Sequence, residues 1–214
     1  LLLAQYDGPL APGKLDPEKL EPLALALLTG KLRPNAKETF AYFAQQGVTV
    51  KVISGDNPAT VSMIAQQAEI PNSEKYVDAS TLETPEQLRK AVDEYTVFGR
   101  VSPQQKKALI EALQKKKHTV AMTGDGVNDL LAMKQADCAI AMASGAEAAS
   151  QLASLVLLDS DFSAMPSVVN EGRRVINNIQ RAASLFLVKN IFSLFLSIIS
   201  LFTVMPYPLE PIHL

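Results

Sequence analysis

Short apolar runs alternate with stretches of helical periodicity along most of the chain, the pattern of strands and helices wound into a parallel sheet. Leu23–Leu28 is a compact apolar run and predicts a buried strand. After Pro34 the apolar positions Ala36, Phe40, Phe43 and Ala44 keep helical spacing, and Gly47 closes that helix. Val48–Ser54 predicts a strand ending in Gly55-Asp56-Asn57-Pro58, a loop into a helix with Val61, Ile64, Ala65 and Ala68 on one face. A weaker strand near Lys75–Val77 precedes a short helix opened by Thr84-Pro85-Glu86. The alternation then sharpens. Val97–Phe98 predicts a strand, and Pro103 opens a helix to about Lys117 with Leu109, Ala112 and Leu113 inward. His118–Met122 predicts a strand, Thr123–Asp129 a glycine-rich turn, and Val127 the start of another helix. Asp137–Met142 and Leu155–Leu158 complete the strands.

From Met165 onward the pattern is helical. Between Ala182 and Met205 the only charged residue is Lys189, and Ile191–Met205 is an unbroken run of Ile, Phe, Leu, Val, Met, Ser and Thr. About 20 mostly apolar residues cross a bilayer, so this stretch predicts one transmembrane helix, ended by Pro206-Tyr207-Pro208. A lysine at mid-bilayer costs about 2.5–3.5 kcal/mol on insertion scales, so Lys189 should face other helices or snorkel. Arg173, Arg174 and Arg181 precede the span, which puts the preceding domain on the cytoplasmic side by the positive-inside rule. Asn190 and Ser193 suit helix–helix packing.

Composition narrows the class. With 214 residues, 48% hydrophobic and 20% charged, the chain can bury a sizeable core and is not globally disordered. A net charge of −2 argues against a nucleic-acid binder, which needs a basic surplus on its binding face. The single cysteine, Cys138, excludes an internal disulfide framework, suits a reducing compartment and reads as a small buried hydrophobe. His118 and His213 are the only histidines and cannot build a His-rich metal site. The chain opens on Leu1 without a basic n-region or cleavage site and reads as a segment of a longer polypeptide. Leu1–Lys19, rich in proline and glycine, fits the trailing edge of another domain.

Three loops could carry chemistry, because ligands in open α/β sheets bind outside the carboxyl ends of strands. In Ser54-Gly55-Asp56 a hydroxyl and free backbone N–H groups at a helix start can hold a phosphate; the plainer reading is a strand–helix turn with a capping Asp. In Thr123-Gly124-Asp125-Gly126-Val127-Asn128-Asp129 the glycines let backbone approach a ligand. Asp125 can project from the sheet edge, Asp129 lies about one helical turn on, and Asn128 adds a neutral oxygen. Carboxylate and amide oxygens with waters suit Mg²⁺. Lys106, in the first turn of a helix, opposes the macrodipole and is placed to balance an anion; the alternative is a solvated basic face with Lys107 and Lys115–Lys117.

Taken in order, Ser54-Gly-Asp56, Lys106 and Met122-Thr-Gly-Asp-Gly-Val-Asn-Asp129 resemble motifs two to four of the haloacid dehalogenase superfamily. They are closest in wording to the phosphorylation domain of P-type cation-transporting ATPases. Leu32-Arg33-Pro34, Asn57, Arg100-Val-Ser-Pro103 and Glu171-Gly-Arg173 are similar to sequence of the same pumps. The resemblance covers nearly the whole chain. It implies a Rossmann-like α/β haloacid dehalogenase fold, a parallel sheet flanked by helices, continued by a C-terminal helix matching the fifth membrane span. It implies residues 1–20 as the end of a nucleotide-binding domain, 21–164 as the phosphorylation domain without its first strand, 165–205 as stalk and span, and 206–214 as an extracytoplasmic loop or the next span. Ser54 would contact the transferred phosphoryl group, Lys106 would neutralise it, Asp125 would ligate Mg²⁺, and Asn128 and Asp129 would help hold metal, phosphate and loop. Gly55, Asp56 and Arg100 would lie near ATP. Its other partners would be a transported cation, to which Asn190 and Ser193 would contribute ligands as the alternative to helix packing, the lipid bilayer (a bacterial plasma membrane) and the remaining parts of the same pump.

The family's nucleophile, in Asp-Lys-Thr-Gly-Thr, does not occur in this sequence, so the chain alone is expected to be inactive. Gly30 stands where many members have Asp, and Leu130-Leu131 where Ala-Pro is common, which reads as a packing change. Leu155–Leu158 followed by Asp159-Ser-Asp161 imitates the superfamily's first motif and allows a permuted, membrane-anchored phosphatase using Asp159. A turn capped by Asp161 or Ser163 is the preferred reading of that stretch. A non-catalytic Mg²⁺- or nucleotide-binding regulatory remnant is the third possibility.

Overall fold

The computed structural model describes residues 2–8, 16–26 and 31–203, divided into two compact units, Leu1–Lys37 with Lys51–Val101 and Glu38–Val50 with Ser102–Leu214. Each unit carries its own three-stranded parallel sheet.

In the first unit β1 (Leu2–Tyr6) and β2 (Leu20–Leu25) form an antiparallel ribbon. The buried strand expected at Leu23–Leu28 is therefore corrected: Leu23 and Leu25 are exposed, and residues 27 and 28 lie outside the described residues. Pro22 explains part of this. It has no N–H to give a central sheet, and it pairs with Ala4 where the register of the ribbon shifts. The parallel sheet runs β3 (Val52–Ile53), β5 (Val97–Gly99), β4 (Tyr76–Asp78), with β5 in the middle. The ladder on β3 is shorter than the expected Val48–Ser54 because β5 offers only three residues. Helices α2 (Pro58–Gln67) and α3 (Pro85–Glu94) follow β3 and β4. Asn57 caps α2 by accepting the Ala59 N–H at 3.0 Å, so the capping residue is Asn57 rather than Asp56. At α3 a reciprocal Thr84–Gln87 capping box satisfies two end groups. Val61, Ala65, Leu88, Ala91 and Val92 are buried with Val97 and Phe98.

The second unit begins with α1 (Ala36–Gln45), whose first two residues belong to the first. Gly47 closes it at φ +72°, a left-handed value a glycine adopts without strain. Phe43 packs with Ile140, Leu157 and Met165, and its ring lies 5.6 Å from that of Phe162. The sheet runs β6 (Ala121–Gly124), β7 (Cys138–Met142), β8 (Leu155–Leu157). Helices α4 (Pro103–Lys115), α5 (Leu130–Gln135) and α6 (Glu147–Leu152) build the rest, α6 being too short and alanine-rich to announce itself by periodicity. A core of Ile110, Val120, Met122, Ala132, Met133, Ala139, Ala141 and Ala149 holds them together. Leu130 packs against this core while Leu131 is exposed. Cys138 is half-buried at the edge of the Phe43 cluster, less enclosed than expected.

Strand β6 starts at Ala121 rather than His118. Asp137 explains the delay: its carboxylate accepts the Val120 N–H at 2.8 Å and its own N–H donates to the Val120 carbonyl at 2.9 Å. From Met165 to Thr203 the chain is one helix, α7, of 39 residues and about 58 Å at 1.5 Å per residue. The stretch Phe162–Thr203 has a window of mean hydropathy 2.1 and is the one described segment long and apolar enough to cross a membrane. The proline stop at Pro206 lies outside the described residues, as does Gly30.

Candidate functional site

In the second unit the site residues hang on α4 and the loop after β6. Ser102 caps α4 in a reciprocal box with Gln105, and the Lys106 N–H closes the first turn on the Ser102 carbonyl at 2.9 Å. That turn points Lys106 inward. Its Nζ donates to Asp129 Oδ1 at 2.7 Å, with the two side chains only 11% and 12% exposed. The anion that Lys106 balances within this chain is thus Asp129. Two charges removed from water hold only if paired with good geometry, and the other Asp129 oxygen accepts the Gly126 N–H at 3.4 Å.

The loop has no room for a side chain at Gly124. A Cβ on Gly124 would stand 2.5 Å from Asp129 Cβ, so glycine lets β6 pass directly over the buried pair. Asp125 is held from behind. The Ala146 N–H donates to its carbonyl at 2.7 Å, and a Cβ on Gly145 would stand 2.5 Å from the same oxygen. Backbone contacts therefore fix Asp125 while its exposed carboxylate engages no other described residue. Asn128 is also exposed; the stretch Val127–Asp129 is a 3₁₀ turn, and α5 begins at Leu130.

In the first unit Ser54 Oγ accepts the Asp56 N–H at 3.1 Å, so the hydroxyl already organises its own loop. The Arg100 N–H donates to the Asp56 carbonyl at 2.8 Å, and the Val101 N–H to the Ser54 carbonyl at 3.0 Å. These bonds tie the loop after β3 to the end of β5. Gly55 is exposed with open space around it. Arg100 adopts φ +51°, an uncommon conformation for a non-glycine residue, and its guanidinium reaches Asp78 at 2.9 Å. Hydrogen bonds from the Ser80 hydroxyl and N–H, followed by the Arg100 charge, hold the Asp78 carboxyl below its usual range.

The second unit therefore brings Lys106, Asp125, Asn128 and Asp129 onto one loop and the helix beneath it, whereas Ser54, Gly55, Asp56 and Arg100 form a loop cluster of the first unit. Sequence reasoning missed Gly145 as the seat of Asp125 and Gly99, where a Cβ would strike Pro58 at the start of α2. Both glycines end or follow a strand, the signal that could have found them. It also missed Asp137. Asp159 is exposed and follows β8, the strand farthest from β6, about 10 Å away at two strand spacings. Beside it Asp161 accepts the Ser163 N–H at 2.9 Å, the expected capping turn. Among the described residues no cluster of three or more His, Cys, Asp or Glu could hold a metal on its own.

Residues 3–137 match the haloacid dehalogenase-like hydrolase family, and the chain belongs to that family. Similar sequences include proteins named as cation-transporting ATPases. The chain is 50% identical over 183 residues to the probable cation-transporting ATPase exp7 of Streptococcus pneumoniae, covering 86% of this chain and 23% of that protein. It is 47% identical over 208 residues to the calcium-transporting ATPase CtpE of Mycobacterium tuberculosis, covering 92% and 26%. The chain thus spans about a quarter of the length of the curated relatives it matches. Among solved structures a zinc-transporting PIB-type ATPase in its E2.Pi state superposes with a TM-score of 0.63 at 23% identity, over 84% of this chain and 25% of that one. The α/β fold with parallel sheets and a long apolar helix is therefore the fold found in P-type ATPases.

Proposed function

We propose that this chain is the later part of the catalytic domain of an ATP-driven P-type cation pump, with the membrane helix that follows it. The observation that carries the reading is the loop after β6: a free, exposed Asp125 carboxylate on a backbone seat, above a buried Lys106–Asp129 pair. Phosphoryl transfer relies on positioning and on neutralising spread negative charge, and these residues supply both. The donor set fits Mg²⁺, which takes one or two carboxylates and completes its shell with waters and phosphate oxygens. Asp125 would hold it, with the Asn128 amide nearby in sequence. Bound Mg²⁺ supplies charge neutralisation at the phosphoryl oxygens. Lys106 adds a cation fixed in place by Asp129, and Asp129 in turn fixes the loop. Ser54, whose Oγ accepts the Asp56 N–H, would contact the transferred phosphoryl group, and Gly55, Asp56 and Arg100 would lie near ATP.

Another part of the pump supplies the phosphorylated aspartate, so this chain alone is inactive. Residues 1–20 end a nucleotide-binding domain, 21–164 belong to the phosphorylation domain, 165–205 form stalk and span, and 206–214 lead to the next loop or span. The basic residues Arg173, Arg174 and Arg181 keep the catalytic side cytoplasmic. The membrane is a bacterial plasma membrane, in keeping with the bacterial relatives, and calcium, named for the CtpE protein, is the first cation to test.

The test expresses the complete reading frame in membrane vesicles and measures phosphoenzyme formed from labelled ATP. A Mg²⁺-dependent, hydroxylamine-labile phosphoenzyme and cation-stimulated hydrolysis, both lost in Asp125→Asn, are expected. Absence of any acyl-phosphate in the unaltered protein, or an Asp125→Asn variant that still phosphorylates normally, overturns the reading. Phosphorylation that disappears only in Asp159→Asn supports the permuted phosphatase instead.

A further inference from the structure

Asp125 owes its seat to the short turn after β7, and that turn is itself suspended from both sides. All four of its N–H groups are committed. Ala143 donates to the Leu157 carbonyl at 3.0 Å, Ser144 to the Ser160 hydroxyl oxygen at 2.8 Å, Gly145 to the Met142 carbonyl at 2.9 Å and Ala146 to the Asp125 carbonyl at 2.7 Å. One bond closes the turn on β7, two hang it from the end of β8 and the loop beyond, and the last delivers it to the Asp125 backbone. Because β7 lies between β6 and β8, the turn bridges the loops on either side. Three of the four acceptors are backbone carbonyls, present whatever the side chains are. The fourth is the side chain of Ser160, the link in this bridge that a substitution can remove.

Ser160 holds its hydroxyl there at a cost in backbone conformation. Its φ is +50°, in the left-handed region where glycine and asparagine are at ease and serine is not. Such strain persists where the surroundings over-determine it, and here they do. The Ser160 N–H donates to the Leu157 carbonyl at 3.0 Å, Asp161 caps the next turn through the Ser163 N–H, and the Phe162 ring lies 5.6 Å from Phe43 and 6.3 Å from Phe40. A turn that needed shape alone would take glycine at this φ; the bond to Ser144 accounts for a serine. At the other end of the bridge there is no slack, since even a Cβ on Gly145 would stand 2.5 Å from the Asp125 carbonyl oxygen. The Asp125 carboxylate engages no other described residue, so its place follows its backbone and, through Ala146, the turn.

We propose that Ser160 is a positioning residue for the Asp125 site: by accepting the Ser144 N–H its hydroxyl fixes the turn Ala143–Ala146, and through that turn the place of the Asp125 carboxylate for Mg²⁺. This rests on the reading of Asp125 as the Mg²⁺ ligand. The test uses the complete reading frame solubilised in mild detergent, with hydrogen–deuterium exchange resolved to single residues and Mg²⁺ titrated by calorimetry. In Ser160→Ala the Ala146 N–H should exchange about two- to tenfold faster, the worth of one net hydrogen bond, while amides within β7 keep their rates. Mg²⁺ binding should weaken within the same range. Ser160→Gly relaxes the backbone but lacks the hydroxyl, and should match Ser160→Ala. Ser160→Asn, at ease at positive φ and carrying a side-chain carbonyl, should restore both readouts. An Ala146 rate unchanged in either the alanine or the glycine variant overturns the proposal. So does a faster rate with unaltered Mg²⁺ affinity, which makes the bond structural only. Mg²⁺ affinity unaltered in Asp125→Asn overturns the metal reading itself, and the proposal with it.

Discussion

Replacing Lys106 by Met keeps the length of the stem and removes the charge, leaving Asp129 buried opposite nothing but the Gly126 N–H at 3.4 Å. Breaking a buried ion pair from one side costs about 3–5 kcal/mol, because the surviving charge stays desolvated. At 2–4 °C per kcal/mol for a chain of this size, the unfolding midpoint should fall by about 6–20 °C. Lys106→Met/Asp129→Leu removes both charges and should recover most of that loss, since apolar replacement of a whole buried pair is often neutral. Guanidinium unfolding of the detergent-solubilised chain gives the free energies and a thermal scan the midpoints, both run on the singles and the double so that the coupling is read directly. A single-variant cost below about 1 kcal/mol, the range of exposed pairs, refutes the burial argument. Strict additivity refutes the pairing. If the proposed function holds, the stable double variant restores no phosphoenzyme in the complete pump, which separates holding the loop from neutralising phosphate.

Three further outcomes follow from the geometry. Gly145→Ala pushes a methyl group against the Asp125 carbonyl and should cost about 1–3 kcal/mol, while weakening Mg²⁺ binding, read by titration calorimetry, more than Gly55→Ala, which meets open space. The Val120 N–H, then the Gln114 amide, hold the Asp137 carboxyl below the usual value of 3.8. Its stabilising effect is therefore complete well above pH 3.8 and lost as pH falls through the depressed native value, so Asp137→Asn should flatten the acid limb of the stability–pH profile below about pH 4. Asp159→Asn should leave phosphoenzyme formation in the complete pump unchanged, measured by the same labelling assay.

Much of the second unit was legible because its signals are local and agree with one another. Pro103 after Ser102, the glycines around Asp125 and the apolar core of β7 each specify one conformation, and each is found where the spacing puts it. Lys106 was legible as an anomaly of charge at a helix start, but its partner was not, since nothing in a one-dimensional pattern says that Asp129 turns inward. The first unit was less legible. An apolar run at Leu23–Leu28 reads the same in a buried strand or an exposed ribbon, and Pro22 was the warning against the former. Gly145 and Asp137 act on backbone atoms of residues 20 and 17 positions away, contacts that only the folded chain creates.

Helix α7 has a mechanical consequence. Its single proline, Pro166, sits in the first turn, where it breaks nothing, and no residue from Met165 to Thr203 has a positive φ. Kinks arise at interior prolines, π-bulges and similar interruptions, and Gly172 is the one weak point in the rod. The helix therefore acts as a lever with its root in the Phe43–Met165 cluster. Swinging a rod of about 58 Å by about 10° carries its tip about 10 Å sideways, and twisting it turns every side chain along its length by the same angle. Any rearrangement that moves the root by a few degrees is thus carried along to the apolar end, with Gly172 the one place where bending would absorb it.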